Sequence, residues 1–157
     1  INIYEGRPIS AGSSPNKKDD SWHIKPFPQG MNQTAAIWPI TPQSMDYYFR
    51  FISERYKKPI YISENGMSNA DIISLDQKCH DPQRIDYTHR YLMNLENAIE
   101  NGADVRGYFH WSLLDNFEWA HGYRERFGLV HVDYETQKRT PKDSYYWYKE
   151  IIESNKN

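Results

Sequence analysis

Apolar residues recur along this chain with two different periods, and each change of period marks an element. Ile1 to Tyr4 alternate apolar and polar as a strand does. Gly6 to Gln33 is rich in Gly, Ser, Pro, Lys and Asp and has no usable period, so it reads as one long loop, a length that is usually functional or disordered. Its Lys17-Lys18-Asp19-Asp20 run reads as solvated surface, while Trp22 and Phe27 are candidates to close over a cleft. Thr41 then offers an N-cap with Pro42 at the first helical position, and Met45, Tyr48, Phe49, Ile52 and Tyr56 follow at helical spacing to about Lys57. Pro59 to Met67 is a short apolar, β-branched and aromatic run ending in Asn65-Gly66, which predicts a buried strand stopped by a turn.

After a polar loop from Met67 to His80, Asp81 caps and Pro82 starts a second predicted helix, with Ile85, Thr88, Leu92, Leu95 and Ile99 as its apolar stripe and Asn101-Gly102 as its end. Val105 to Trp111 is the next strand. Gly128 to Asp133 and Tyr134 to Arg139 read as a small hairpin, and Thr140-Pro141-Lys142-Asp143 caps a last helix to about Ile152, with Tyr145, Tyr148 and Ile152 inward and Ser154 to Asn157 frayed. Buried strands alternating with one-sided helices call for a parallel sheet with right-handed crossovers. The 157 residues suffice for one domain, and neither a repeat beyond the βα unit nor a linker is visible.

Composition narrows the chemistry. With 19 basic and 21 acidic residues the net charge is -2, and no run of five or six like charges occurs, so nothing argues for nucleic acid or an anionic membrane surface. No stretch approaches the ~20 apolar residues of a membrane span. The single Cys79 excludes an internal disulfide framework and sits in a polar segment expected to be exposed. Ile1-Asn2-Ile3-Tyr4 resembles no secretory signal, so a cytoplasmic location is the expectation. Aromatic residues make up 15%, including 13 Tyr and 5 Trp, and flat aromatic faces suit the CH surfaces of sugars as well as ordinary packing. The six histidines form no His-Glu-x-x-His, there is no Cys-x-x-Cys, and the glycines have neither Rossmann nor P-loop spacing, so no metal and no cofactor is expected.

Glu64 stands at the exit of a predicted parallel strand, where barrel enzymes place catalytic groups, although a glutamate there can also serve its own turn. Beyond the next strand, Trp111-Ser112-Leu113-Leu114-Asp115-Asn116-Phe117-Glu118-Trp119 gathers two tryptophans and an acid at one strand end, which packing alone explains poorly. Ser63-Glu64-Asn65-Gly66, the stretch from Gly107 to Trp119, and Gly122-Tyr123-Arg124-Glu125-Arg126-Phe127-Gly128 together resemble the C-terminal part of a family 1 glycoside hydrolase, the β-glucosidase family, with a likeness running from Asn2 to the last helix.

That resemblance implies an α/β fold, about the last three βα units of a (β/α)8 TIM barrel, with residues 1-157 a C-terminal fragment of one barrel domain. It implies retaining hydrolysis of a β-glycoside, with Glu64 as nucleophile and Tyr4 hydrogen-bonded to it. Asn2 and Trp38 would line the sugar and aglycone side, and Trp111 would lie under the sugar ring, joined to Ser112 by a cis peptide. Glu118 would accept from the C4 and C6 hydroxyls, Trp119 would donate to the C3 hydroxyl, and Phe127 would complete the wall. A His121 contact is open, with a supporting role favoured. A retaining mechanism needs two carboxyl groups ~5 to 5.5 Å apart. Taken alone the chain pairs Glu64 with Glu118, but the resemblance makes Glu118 an ionised sugar ligand and puts the acid/base in an Asn-Glu-Pro motif that is absent here. The expected partners are a β-glucoside or a short β-linked oligosaccharide such as cellobiose, and the missing N-terminal part of the barrel. A non-catalytic sugar-binding relative is the alternative. The fragment by itself is expected to form an open partial barrel without normal turnover.

Overall fold

The computed structural model describes residues 1–12 and 22–155. In chain order the elements are β1 (Ile9–Ala11), β2 (Trp22–Ile24), α1 (Gln43–Tyr56), β3 (Ile60–Asn65), α2 (Pro82–Glu100), β4 (Val105–His110), a 3-10 turn at Trp119–His121, β5 (Val130–Val132), β6 (Arg139–Pro141) and α3 (Asp143–Ser154). The parallel sheet is built from β3 and β4, which pair from Ile60 opposite Val105 to Asn65 opposite His110 with register shifts between Ile60 and Tyr61 and between Ile62 and Asn65. The predicted first strand is reduced to a parallel bridge between Asn2 and Glu64, flanked by Ser63 N–H to Ile1 O at 3.0 Å and Ile3 N–H to Glu64 O at 3.0 Å. Three lanes thus run side by side with Glu64 in the middle one. Ile60 and Ile62 point to α1 and α2 and form a core with Ile3, Met45, Phe49, Met67, Tyr87, Tyr91 and Leu95. The opposite face carries Tyr61 and Phe109, which are 53% and 60% exposed, and the sheet stays open. No helix among the described residues is long and apolar enough to cross a membrane.

Several sequence expectations need correction. The stretch from Gly6 to Gln33 is not all loop: β1 and β2 pair antiparallel, Ile9 with Ile24 and Ala11 with Trp22, and three-residue strands are too short to leave a readable period. Trp22 is 55% exposed on that ribbon; the Lys17 to Asp20 run lies outside the described residues, as do Lys156 and Asn157. The three expected caps are spent elsewhere. Thr41 Oγ1 accepts from Gly6 N–H at 2.7 Å, the Asp81 carboxylate is taken by Arg84 and Ser144, and Thr140 and Pro141 belong to β6. The hairpin exists, but its second arm is β6, because Asp133 turns the chain by accepting from Glu135 and Thr136 N–H groups. Cys79 is fully buried.

The stripe of α2 is rotated from the aliphatic one. Its buried residues are Arg84, Tyr87, Thr88, Tyr91, Leu95 and Ala98, while Ile99 is exposed. Tyrosines face inward because their hydroxyls find partners: Tyr87 and Tyr91 stack at 4.0 Å and both donate to the carbonyl of Tyr4, at 3.1 and 3.2 Å. On α1 only Met45 and Phe49 are buried, Tyr48 and Tyr56 being exposed; α3 buries only Ser144, with Tyr145 and Tyr148 half-covered and Ile152 exposed.

Candidate active site

The two strand ends are locked together by backbone. Trp111 N–H donates to Asn65 O at 2.8 Å, and a Cβ on Gly66 would sit 1.9 Å from Trp111 O, so only glycine lets the turn after β3 touch the start of the loop after β4. The Trp111–Ser112 peptide is cis. Asn65 is fully buried and donates to Ile3 O at 2.7 Å, while its carbonyl accepts from Tyr108 OH at 2.8 Å. Glu64 is thereby presented at the sheet's end with both flanking lanes fixed.

Tyr4 OH donates to Glu64 Oε2 at 2.7 Å. Burial raises the Tyr4 phenol well above its ordinary range, and the bond to Glu64 raises it further, so Tyr4 keeps its proton and acts as a donor. The Tyr4 ring meets Trp38 edge-on at 5.2 Å and Phe127 at 6.2 Å, and Trp38 and Phe127 lie 5.7 Å apart. Phe127 is only 2% exposed, so it backs this aromatic corner rather than facing the cleft. Asn2 Oδ1 accepts from Ser63 Oγ at 2.7 Å, and Asn2, Tyr4 and Trp38 line a cavity of about 550 Å³.

Trp111 Nε1 donates to Glu118 Oε1 at 3.2 Å, joining the two ends of the loop. Glu118 closes a tight turn, its N–H donating to Gly122 O at 2.7 Å. Burial pushes the Glu118 carboxyl above the usual range and the Trp111 bond opposes this; nearby Glu64 and Glu125 push it up further and His121 pulls it down. Glu64 and Glu118 therefore share one electrostatic neighbourhood. Trp119 stands beside Glu118, 84% exposed with φ 46°, and touches no other site ring. His121 contacts Arg124 rather than the cleft, at 3.0 Å from its Nδ1. Among the described residues no group of His, Cys, Asp and Glu is placed to hold a metal ion.

Beneath the loops runs a feature that sequence reading missed: a buried chain of alternating charge. Asp81 pairs with Arg84, Arg84 with Asp71, Asp71 with Lys142, Lys142 with Asp115 and Asp115 with Arg126. All but Arg126 are wholly covered side chains. Asp115 lies inside the Trp111 to Trp119 motif, and an acid directly after the apolar pair Leu113-Leu114 was the available signal. Lys142 and Arg84 gave none, since helix-start lysines and arginines are ordinarily solvated. Glu125 is a further missed acid, 2% exposed.

Comparison with known proteins shows the family to which the chain is similar. Residues 2–157 match the family model described as glycosyl hydrolase family 1. A 1,4-beta-D-glucan glucohydrolase of Thermotoga neapolitana is 45% identical over 156 residues, covering 99% of this chain and 34% of that protein. A 6-phospho-beta-galactosidase of Staphylococcus epidermidis is 47% identical over 132 residues, covering 82% and 28%. The solved family 1 β-glucosidase of Thermotoga maritima in complex with isofagomine lactam superposes with a TM-score of 0.86 at 40% identity, over 98% of this chain and 34% of that one. The chain spans about a third of the length of the relatives it matches.

Proposed function

This chain belongs to glycosyl hydrolase family 1, and from that premise we propose that it is the C-terminal third of a (β/α)8 barrel that hydrolyses β-glucosides with retention. The observation that carries the reading is the 2.7 Å bond from Tyr4 OH to Glu64 Oε2 at the end of β3. A carboxylate with one oxygen held by a tyrosine has a fixed orientation and its second oxygen available for the anomeric carbon.

In the first step Glu64 forms a bond to the anomeric carbon while the glycosidic C–O bond breaks, and the leaving oxygen takes a proton from an acid outside this chain. In the second step water, deprotonated by that same group, attacks the anomeric carbon and frees Glu64. Asn2 and Trp38 border the sugar, Trp111 lies beneath it, and Glu118 and Trp119 hold its hydroxyls. The raised carboxyl of Glu118 superficially suits a general acid. The Trp111 N–H bond favours its anion, however, and sugar hydroxyls would stabilise that anion further, so we assign it to binding.

Glu64 and the buried Glu125 both lie close enough to Glu118 to push its carboxyl up, so the sugar-holding acid stands among like charges that disfavour a phosphate dianion beside it. We therefore assign an unphosphorylated glucoside, with galactoside or fucoside alongside and short oligosaccharides such as cellobiose included, although 6-phospho-beta-galactosidases are among the relatives. Incubating the full-length protein with a 2-deoxy-2-fluoro glucoside tests the assignment: mass spectrometry should find the label on Glu64. Sugar binding without any labelling would favour a non-catalytic sugar-binding protein instead.

A further inference from the structure

We propose that Lys142, at the head of α3, is a positioning residue that sets the sugar-holding loop against the nucleophile strand. Its ammonium is fully buried and shared between two carboxylates, Asp71 on the loop that follows β3 and Asp115 on the loop that follows β4, the latter at 2.9 Å. The two carboxylates come from chain segments that leave neighbouring parallel strands, one carrying Glu64 and the other leading to Glu118. A single ammonium between them fixes their separation.

Each end of this bridge reaches the site by further bonds. Asp115 accepts from Gly128 N–H at 2.9 Å and from Arg126 at 2.7 Å, holding the Trp111 to Trp119 loop against the strip that carries Phe127. On the Asp71 side, Arg84 donates both to Asp71 at 2.6 Å and to the Arg126 carbonyl at 2.8 Å, which also accepts from Asn69 N–H at 3.0 Å. The backbone of Lys142 is itself anchored, its N–H donating to Leu129 O at 3.0 Å.

Such a chain is a poor source of stability, because an apolar cluster of equal volume would do as well at lower desolvation cost. What an apolar cluster lacks is direction. Ion pairs with fixed donors hold two loops at one distance and one angle, which is what a sugar site assembled from separate strand ends requires.

The inference rests on the assignment of Glu118 to the C4 and C6 hydroxyls. In the full-length enzyme, Lys142→Met keeps length and loses charge. Competent sites are counted by 2-deoxy-2-fluoro glucoside titration, so misfolded molecules drop out of the comparison. Per competent site, kcat/KM for an aryl β-glucoside should fall roughly tenfold, the worth of a charge-assisted hydrogen bond, mainly through KM. For the matching 6-deoxy-β-glucoside, which lacks a hydroxyl for Glu118 to accept from, the fall should stay within about threefold. Asp115→Asn, which leaves the Lys142–Asp71 pair intact, should give the same pattern and decides the matter if Lys142→Met yields no folded protein. Equal falls on the two substrates, or none, would overturn the positioning role. Absence of any preference for the glucoside in the unaltered enzyme would instead count against the Glu118 assignment itself.

Discussion

Glu64 and Tyr4 are 60 positions apart and meet at 2.7 Å, so the first expectations concern this pair. Tyr4→Phe removes a hydrogen bond to a charged group while sparing the ring contacts with Trp38 and Phe127. In the full-length enzyme kcat should fall roughly ten- to a hundredfold, read with an aryl β-glucoside. Glu118 gives a pH signature. Its carboxyl is pushed above the usual range, so on acidification it takes up a proton earlier than an ordinary glutamate and, as the sugar ligand proposed above, would lose the anion that accepts from two hydroxyls. KM for the glucoside should rise as pH falls through that region, and Glu118→Gln should show a high KM with this dependence flattened; a parallel rise in both proteins would refute the assignment. Glu118 was legible in the sequence as an acid among tryptophans. Its bond to Trp111 was not, because a loop's closure depends on backbone angles such as the positive φ of Trp119 that no spacing rule specifies.

Among elements, the contact between the ends of β3 and β4 is the least forgiving. Gly66→Ala would put a methyl group 1.9 Å from the Trp111 carbonyl oxygen, with backbone rather than a yielding side chain in the way. Unfolding in urea should show a loss of about 3 kcal/mol. The buried charge chain predicts an acid transition. Burial alone would raise the Asp71 carboxyl, but Arg84 and Lys142 outweigh it and hold it below the usual range. A depressed carboxyl contributes stability that is present above its unfolded pKa and is lost as pH falls through the folded one. Asp71→Asn should therefore be strongly destabilised near neutrality, by about 3–5 kcal/mol, yet lose less further stability than the parent on acidification. Thermal melts at pH 7 and below pH 4 check both signs. Helix existence and order were legible from period alone; the buried face of α2 was legible only in part, through Thr88, Leu92 and Leu95. Tyr87, Tyr91 and Arg84 displace the aliphatic stripe because each meets a polar partner that exists only in the folded protein.

For the whole molecule, an open sheet with Tyr61 and Phe109 exposed, and Leu113 exposed on the loop beyond it, is a surface that a complete barrel would cover. The 157-residue chain alone should self-associate, measured by light scattering, and, with the acid/base supplied from outside it as proposed, should lack normal turnover of an aryl β-glucoside. Co-expression with the N-terminal two-thirds of the barrel should restore both solubility and activity. Wild-type-like hydrolysis by the purified chain would overturn the reading.

Order and type of the main elements, the strand-end placement of Glu64 and the gathering of tryptophans and acids from Trp111 to Trp119 were determined by sequence alone, because backbone propensity, apolar period and local motif are properties of neighbouring residues. Tertiary structure decided the rest. It buried Cys79, turned α2 so that two tyrosines grip the carbonyl of Tyr4, set Phe127 behind the aromatic corner, and drew Asp71, Lys142 and Asp115 from three segments into one ion chain. Each of these depends on a partner distant in the chain, and the low-dielectric interior that makes such pairing necessary forms only on folding.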